Sequence, residues 1–105
     1  MKKLDKPYYV AIFTSKRSKV EDGYEEMSEY LDTLVKEQKG FLGQESIRDA
    51  NGFGITVSYW ESEEDIFAWK NNYAHIEAKK LGQKKWYTHY EVKIAQVNYA
   101  YGKKI

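Results

Sequence analysis

Four side chains in one short segment, Trp69, Asn72, Tyr73 and His75, bring together a base and aromatic surfaces. Histidine titrates closest to neutral pH and suits a general base, while tryptophan and tyrosine can orient an aromatic molecule. On an unbroken helix Trp69, Tyr73 and Ile76 share a face, being i, i+4 and i+7. His75 falls about 120° from Trp69 around the axis, so it joins that face only if the helix is interrupted. Asn71-Asn72 gives a reason for an interruption, since asparagine competes for backbone bonds; a kink or short break is expected before Ala74. The plainer reading makes Trp69 and Tyr73 core residues and His75 a solvated one.

Other polar groups carry less. Trp60 ends a strand ahead of a capped helix and is expected to fix that corner by packing. His89 is expected at the surface beside Tyr87 and Tyr90. Arg48 and Asp49 flank a turn and read as a solvated pair, worth little. Lys79, Lys80, Lys84 and Lys85 form a basic patch, more often a solvated face than a phosphate site. The chain has no cysteine, which removes disulfides, thiol catalysis and cysteine-ligated metals. It shows no phosphate loop, nucleotide fingerprint or paired metal ligands.

These side chains need elements to position them. Length 105 allows one domain, residues 1–105, with a core over about 7–101. Strand one is Tyr8 to Ser15, with Tyr8, Val10 and Ile12 on one face and Tyr9, Ala11 and Phe13 on the other. A helix over Val20 to Gln38 follows from the spacing of Val20, Tyr24, Met27, Leu31, Leu34 and Val35. Asp22 with Glu25 suggests a capping pair that makes Gly23 the first helical residue, and Gly40 suits the C-cap. Phe41 to Asp49 and Ile55 to Glu61 are strands joined through Asn51-Gly52, a strong hairpin signal. Ser62 opens the second helix, which runs to Gly82 across the suspected kink. Tyr90 to Tyr101 is the last strand; its apolar parity changes from Val92 and Ile94 to Val97 and Tyr99, which one bulge near Ala95-Gln96 would reconcile.

The order strand-helix-strand-strand-helix-strand is that of an α+β, ferredoxin-like fold with a four-stranded antiparallel sheet. Its helices cover one face of the sheet. Strands apolar in both registers leave large side chains on the other, and a second copy of the chain is the economical cover. A homodimer through the sheet face is expected. Seventeen basic against sixteen acidic residues argue against nucleic acid as a partner. No apolar run is long enough to span a bilayer, and no signal core follows Lys2-Lys3, so a cytoplasmic protein with no membrane contact is expected.

Gly40-Phe41-Leu42-Gly43, Val57-Ser58-Tyr59-Trp60-Glu61-Ser62 and Phe67-Ala68-Trp69-Lys70, in this element order, resemble the antibiotic biosynthesis monooxygenase (ABM) domain family over roughly residues 7 to 101. The resemblance implies a dimeric α+β barrel with a pocket in each subunit between helices and sheet. Some members are cofactor-free oxygenases of aromatic polyketides or quinols, and others bind and degrade haem. The haem degraders use an asparagine on strand one, a tryptophan on helix two and a histidine ten residues after it. Trp69 matches the tryptophan, Lys79 stands at the histidine position, and strand one has no asparagine. Haem degradation is disfavoured.

Under the resemblance, the chain reads as a cofactor-free monooxygenase of an aromatic or quinol-type small molecule. His75 is the base, and Trp69, Tyr73, Asn72, Phe13 and Tyr59 are substrate-binding; no metal is required. The alternatives are a non-catalytic module binding an apolar ligand, haem included, or a dimeric scaffold with a collapsed pocket.

Overall fold

The computed structural model describes residues 7–19, 23–80 and 86–103, the stretch 73–80 through its backbone alone. Six elements follow in order: β1 (Tyr8–Arg17), α1 (Tyr24–Val35), β2 (Phe41–Arg48), β3 (Phe53–Trp60), α2 (Glu63–Lys80) and β4 (Tyr87–Val97). The strands form one antiparallel sheet ordered β2-β3-β1-β4, the ferredoxin-like arrangement.

The register divides the side chains between two faces. Tyr9 opposes Trp60, Ala11 opposes Ser58 and Phe13 opposes Thr56 across β1 and β3. On the other flank of β1 the same residues oppose Gln96, Ile94 and Val92. Tyr9, Ala11 and Ile94 pack with Phe41 and Trp69 against Val35 of α1, Trp60 and Ile66 of α2, so the odd positions of β1 face the helices. A second cluster joins Met27 and Leu31 of α1 to Trp86, with Tyr24, Trp69 and Tyr87 against it. Trp69 touches both clusters and ties them together. Trp60 is fully buried, and its indole N–H donates to Ser58 Oγ at 2.8 Å, the corner-packing role expected of it.

Several local expectations are corrected. Gly23 is the N-cap of α1, at φ 78 and with no side-chain cap, rather than its first helical residue; Asp22 lies outside the described residues. The helix stops at Val35, and Gly40, at φ 80, turns the chain into β2. A Cβ there would land on the carboxylate of Asp65, so both the backbone and the close approach require glycine. Ser62 caps α2 as expected, accepting from the Asp65 amide at 3.1 Å. No break interrupts α2 at Asn71-Asn72. Each asparagine costs about 0.7 kcal/mol against alanine, too little to end a helix already nucleated and capped.

In β4 the pairing is regular through Ala95 and Gln96 to Val97; the irregularity is at the opposite end, between Lys16 and Arg17. The parity change has a simpler origin. The strand ends at Val97, which pairs with Tyr8 on the face away from the helices, while Tyr99 and Tyr101 belong to an exposed tail. At the β2–β3 hairpin, Asp49 Oδ1 accepts from the amides of Asn51 and Phe53, at 2.9 and 3.0 Å. That carboxylate organises the turn and does not pair with Arg48.

Candidate functional site

Across the helix-side face, the register sets out rows of one residue from each strand. In the order β2, β3, β1, β4 the inner row is Gln44, Ser58, Ala11 and Ile94. The next is Ser46, Thr56, Phe13 and Val92, and the outermost is Arg48, Gly54, Ser15 and Tyr90. The two outer rows therefore combine an aromatic half on β1 and β4 with a polar half on β2 and β3.

Phe13 is the centre of the aromatic half. Its ring stacks on Tyr90 with centroids 5.7 Å apart and meets Tyr87 edge-on at 5.7 Å. Tyr87 in turn meets Tyr24 of α1 at 6.1 Å, and Tyr24 meets Trp86 at 5.9 Å. Such offset and edge-to-face arrangements present both ring faces and ring edges to a guest. Beside them Ser46 Oγ and Thr56 Oγ1 lie 2.8 Å apart, leaving hydroxyl capacity at the surface. Arg48 reaches across this half: its guanidinium lies 6.0 Å from the centroid of Tyr87. The combination suits a planar aromatic molecule with oxygen substituents.

The structure brings only some of the expected site residues together. Phe13 is on the helix side and half-buried, as is Trp69 between the two core clusters. Asn72 is exposed on α2. The side chains of Tyr73 and His75 lie outside the described residues; their positions fall on the unbroken part of α2. Tyr59 is on the opposite face, opposing Val10, and cannot share a helix-side pocket with Phe13, which is a correction. The pleat alternates faces, and β1 positions 10 and 13 have opposite parity. There its hydroxyl donates to Glu45 Oε1 at 2.5 Å; this bond, with burial secondary, pushes the phenol up to about 12.

His89 is exposed, in line with expectation, but sits within β4, which begins at Tyr87 rather than at Tyr90; its ring is 6.2 Å from Phe53 on the face away from the helices. Tyr87, Tyr90 and Thr56 were not singled out in the sequence. The signal was present in Trp86 to Tyr90, where aromatics cluster at a strand start. Arg48, expected to be solvated, is half-buried and bonded to the backbone.

Among the described residues no group of three or more histidine, aspartate or glutamate side chains could hold a metal ion. No described helix is long and apolar enough to cross a membrane. A separate open groove of about 450 Å³ lies at the hairpin end, lined by residues 16–19 and 50–52, and it contains neither an aromatic ring nor a carboxylate.

Residues 3–104 match the family described as monooxygenase af470-like. The chain is 46% identical over 92 residues to the uncharacterized protein YqjZ of Bacillus subtilis (strain 168), covering 88% of this chain and 81% of that protein. Among solved structures, a variant of SnoaB, a cofactor-independent oxygenase from Streptomyces nogalater, superposes with a TM-score of 0.67. That match has 11% identity and covers 95% of this chain and 100% of SnoaB. The heme-degrader MhuD from Mycobacterium tuberculosis, with two hemes bound in its active site, superposes with a TM-score of 0.58. Its identity is 20% over 90% of this chain and 99% of MhuD. At these identities the structural likeness is one of fold.

Proposed function

The chain belongs to the monooxygenase af470-like family, an ABM-type domain, and from this we propose that it oxygenates an aromatic or quinol-type small molecule without metal or flavin, on the helix-side face of the sheet. The observation that carries this reading is the Phe13–Tyr87–Tyr90 ring set beside the Ser46–Thr56 hydroxyl pair. The rings hold a planar substrate and keep an apolar volume for O2, and the hydroxyls orient its oxygen atoms.

The chemistry needs one proton removed. A base converts an anthrone or quinol to its electron-rich anion, which gives an electron to O2; the two radicals then combine as a hydroperoxide. Loss of water leaves a carbonyl, so one oxygen atom enters the product and the other departs in water with two substrate hydrogens. All the electrons come from the substrate. The chain has two histidines, and His89 lies on the wrong face, so the base is assigned to His75.

The active species is proposed to be a homodimer through the face away from the helices. On it Ile47 is 76% exposed, Phe53 53% and Ile55 47%, a contiguous apolar patch at the β2–β3 end. Oxygen-electrode assays with anthrones and quinols test the activity: uptake by the wild type that is lost in His75→Ala supports it, and undiminished uptake in that variant removes His75 from the role. The oxygenation requires no haem. With Lys79 at the histidine position, a stoichiometric haem titration is expected to give no Soret shift.

A further inference from the structure

Arg48 is a half-buried cation that makes no ion pair with any described residue. Burying a charge without a counter-charge is costly, and structures keep such groups where something else compensates them. Three of its N–H groups have partners. Nη1 donates to Gly52 O at 2.6 Å and, at the longer distance of 3.5 Å, to Ser15 O, and Nη2 donates to Ser15 Oγ at 2.8 Å. A guanidinium has five donors, so Nε–H and one Nη2–H remain. The adjacent carboxylate, Asp49, accepts from the hairpin amides through Oδ1 and makes no ion pair with Arg48.

The two remaining donors have a defined geometry. Ser15 accepts from Nη1 through its carbonyl and from Nη2 through its hydroxyl, and the Gly52 carbonyl accepts from Nη1. What is left is the Nε–Nη2 edge, two parallel N–H bonds. That edge matches a carboxylate in bidentate fashion. Gly54, which has no side chain, lets the group lie across β3, and the hydroxyl of Ser15, 2% exposed, accepts from it. Tyr87 sits 6.0 Å away and belongs to the ring set with Phe13 and Tyr90.

We propose that the Nε–Nη2 edge of Arg48 selects an aromatic substrate bearing a carboxylate, holding the acid over the polar half of the site while the rings hold the arene. This rests on the aromatic site proposed above and adds the charge of its substrate. An aromatic acid replaces the missing counter-ion with two charged acceptors, whereas its neutral amide offers one carbonyl acceptor and no charge.

The test is binding of 1-hydroxy-2-naphthoate and its neutral amide, followed by tryptophan fluorescence. The wild type is expected to bind the acid at least about tenfold tighter than the amide. Arg48→Gln should erase that preference by weakening the acid more than the amide, and Arg48→Lys should keep part of it, as a charge without the fork. Because Arg48 also braces the hairpin, a second measurement uses the wild type alone. Raising salt from about 0.05 to 0.5 M should weaken binding of the acid and leave the amide unchanged. Equal affinity for the two probes in the wild type, or a preference that survives in Arg48→Gln, overturns the proposal and leaves the oxygenase reading standing. If neither probe binds the wild type, the aromatic site itself is wrong.

Discussion

The Arg48 guanidinium lies across Gly54, filling the place where a Cβ would stand, and reaches Ser15 on the next strand but one. One glycine thus allows an edge-strand side chain to cross a central strand and meet the aromatic half of the face. Gly54→Ala puts a methyl group on Arg48 Cζ and forces the side chain off its anchors. The atoms met are the far end of a flexible side chain, so the expected loss is that of the displaced Arg48 hydrogen bonds, about 0.5–1.5 kcal/mol, read as a lower urea midpoint with an unchanged slope. A midpoint equal to that of the wild type would show that Arg48 can move aside freely.

Tyr59 gives a prediction in pH. Its hydroxyl bond to Glu45 raises the folded-state value from 10.0 to about 12. A group raised on folding stabilises the folded chain below its unfolded value, and that contribution is lost as pH rises through the folded one. Unfolding free energy should therefore fall more steeply in the wild type than in Tyr59→Phe between about pH 10 and 12. Parallel curves from urea titrations across that window would dismiss the hydrogen bond. Because Tyr59 is on the face away from the ring set, Tyr59→Phe should leave oxygen uptake unchanged at neutral pH.

The exposed apolar patch gives a third. A charge at its centre, Ile55→Asp, should convert the proposed dimer to monomer at micromolar concentration in sedimentation velocity, with the far-ultraviolet spectrum retained. A wild type that already sediments as a monomer would refute pairing through this face.

Much of the architecture was legible because it is written in short-range patterns. The parity of β1, the i, i+4 spacing from Met27 to Val35 and the Asn51-Gly52 turn each name their element without tertiary help. What failed did so where two weak local terms competed with a longer-range one. Asn71-Asn72 disfavours helix slightly, and the continuous hydrogen-bond ladder of α2 prevails. The parity change in β4 looked like a bulge because nothing local shows that the strand stops at Val97. Tyr59 is expected in the site, yet its own parity with Val57 and Ile55 puts it on the other face. Arg48 departs furthest from the solvated pair that its neighbours in sequence suggest. Its role depends on Gly54 and Ser15, which are distant in sequence and become neighbours only through the sheet register. Sequence spacing alone cannot express that contact.

The central claim is that the ring set around Phe13, with His75 as base, turns over an aromatic substrate with O2. Its most direct test is oxygen uptake and product formation with an anthrone, comparing wild type, Phe13→Ala and His75→Ala. The account predicts one O2 consumed per quinone formed by the wild type, and at least about a hundredfold slower turnover in His75→Ala, the usual size of a lost general base. Phe13→Ala should raise KM and lower kcat/KM through lost stacking. No uptake above the uncatalysed rate by the wild type, or full activity in both variants, would contradict it.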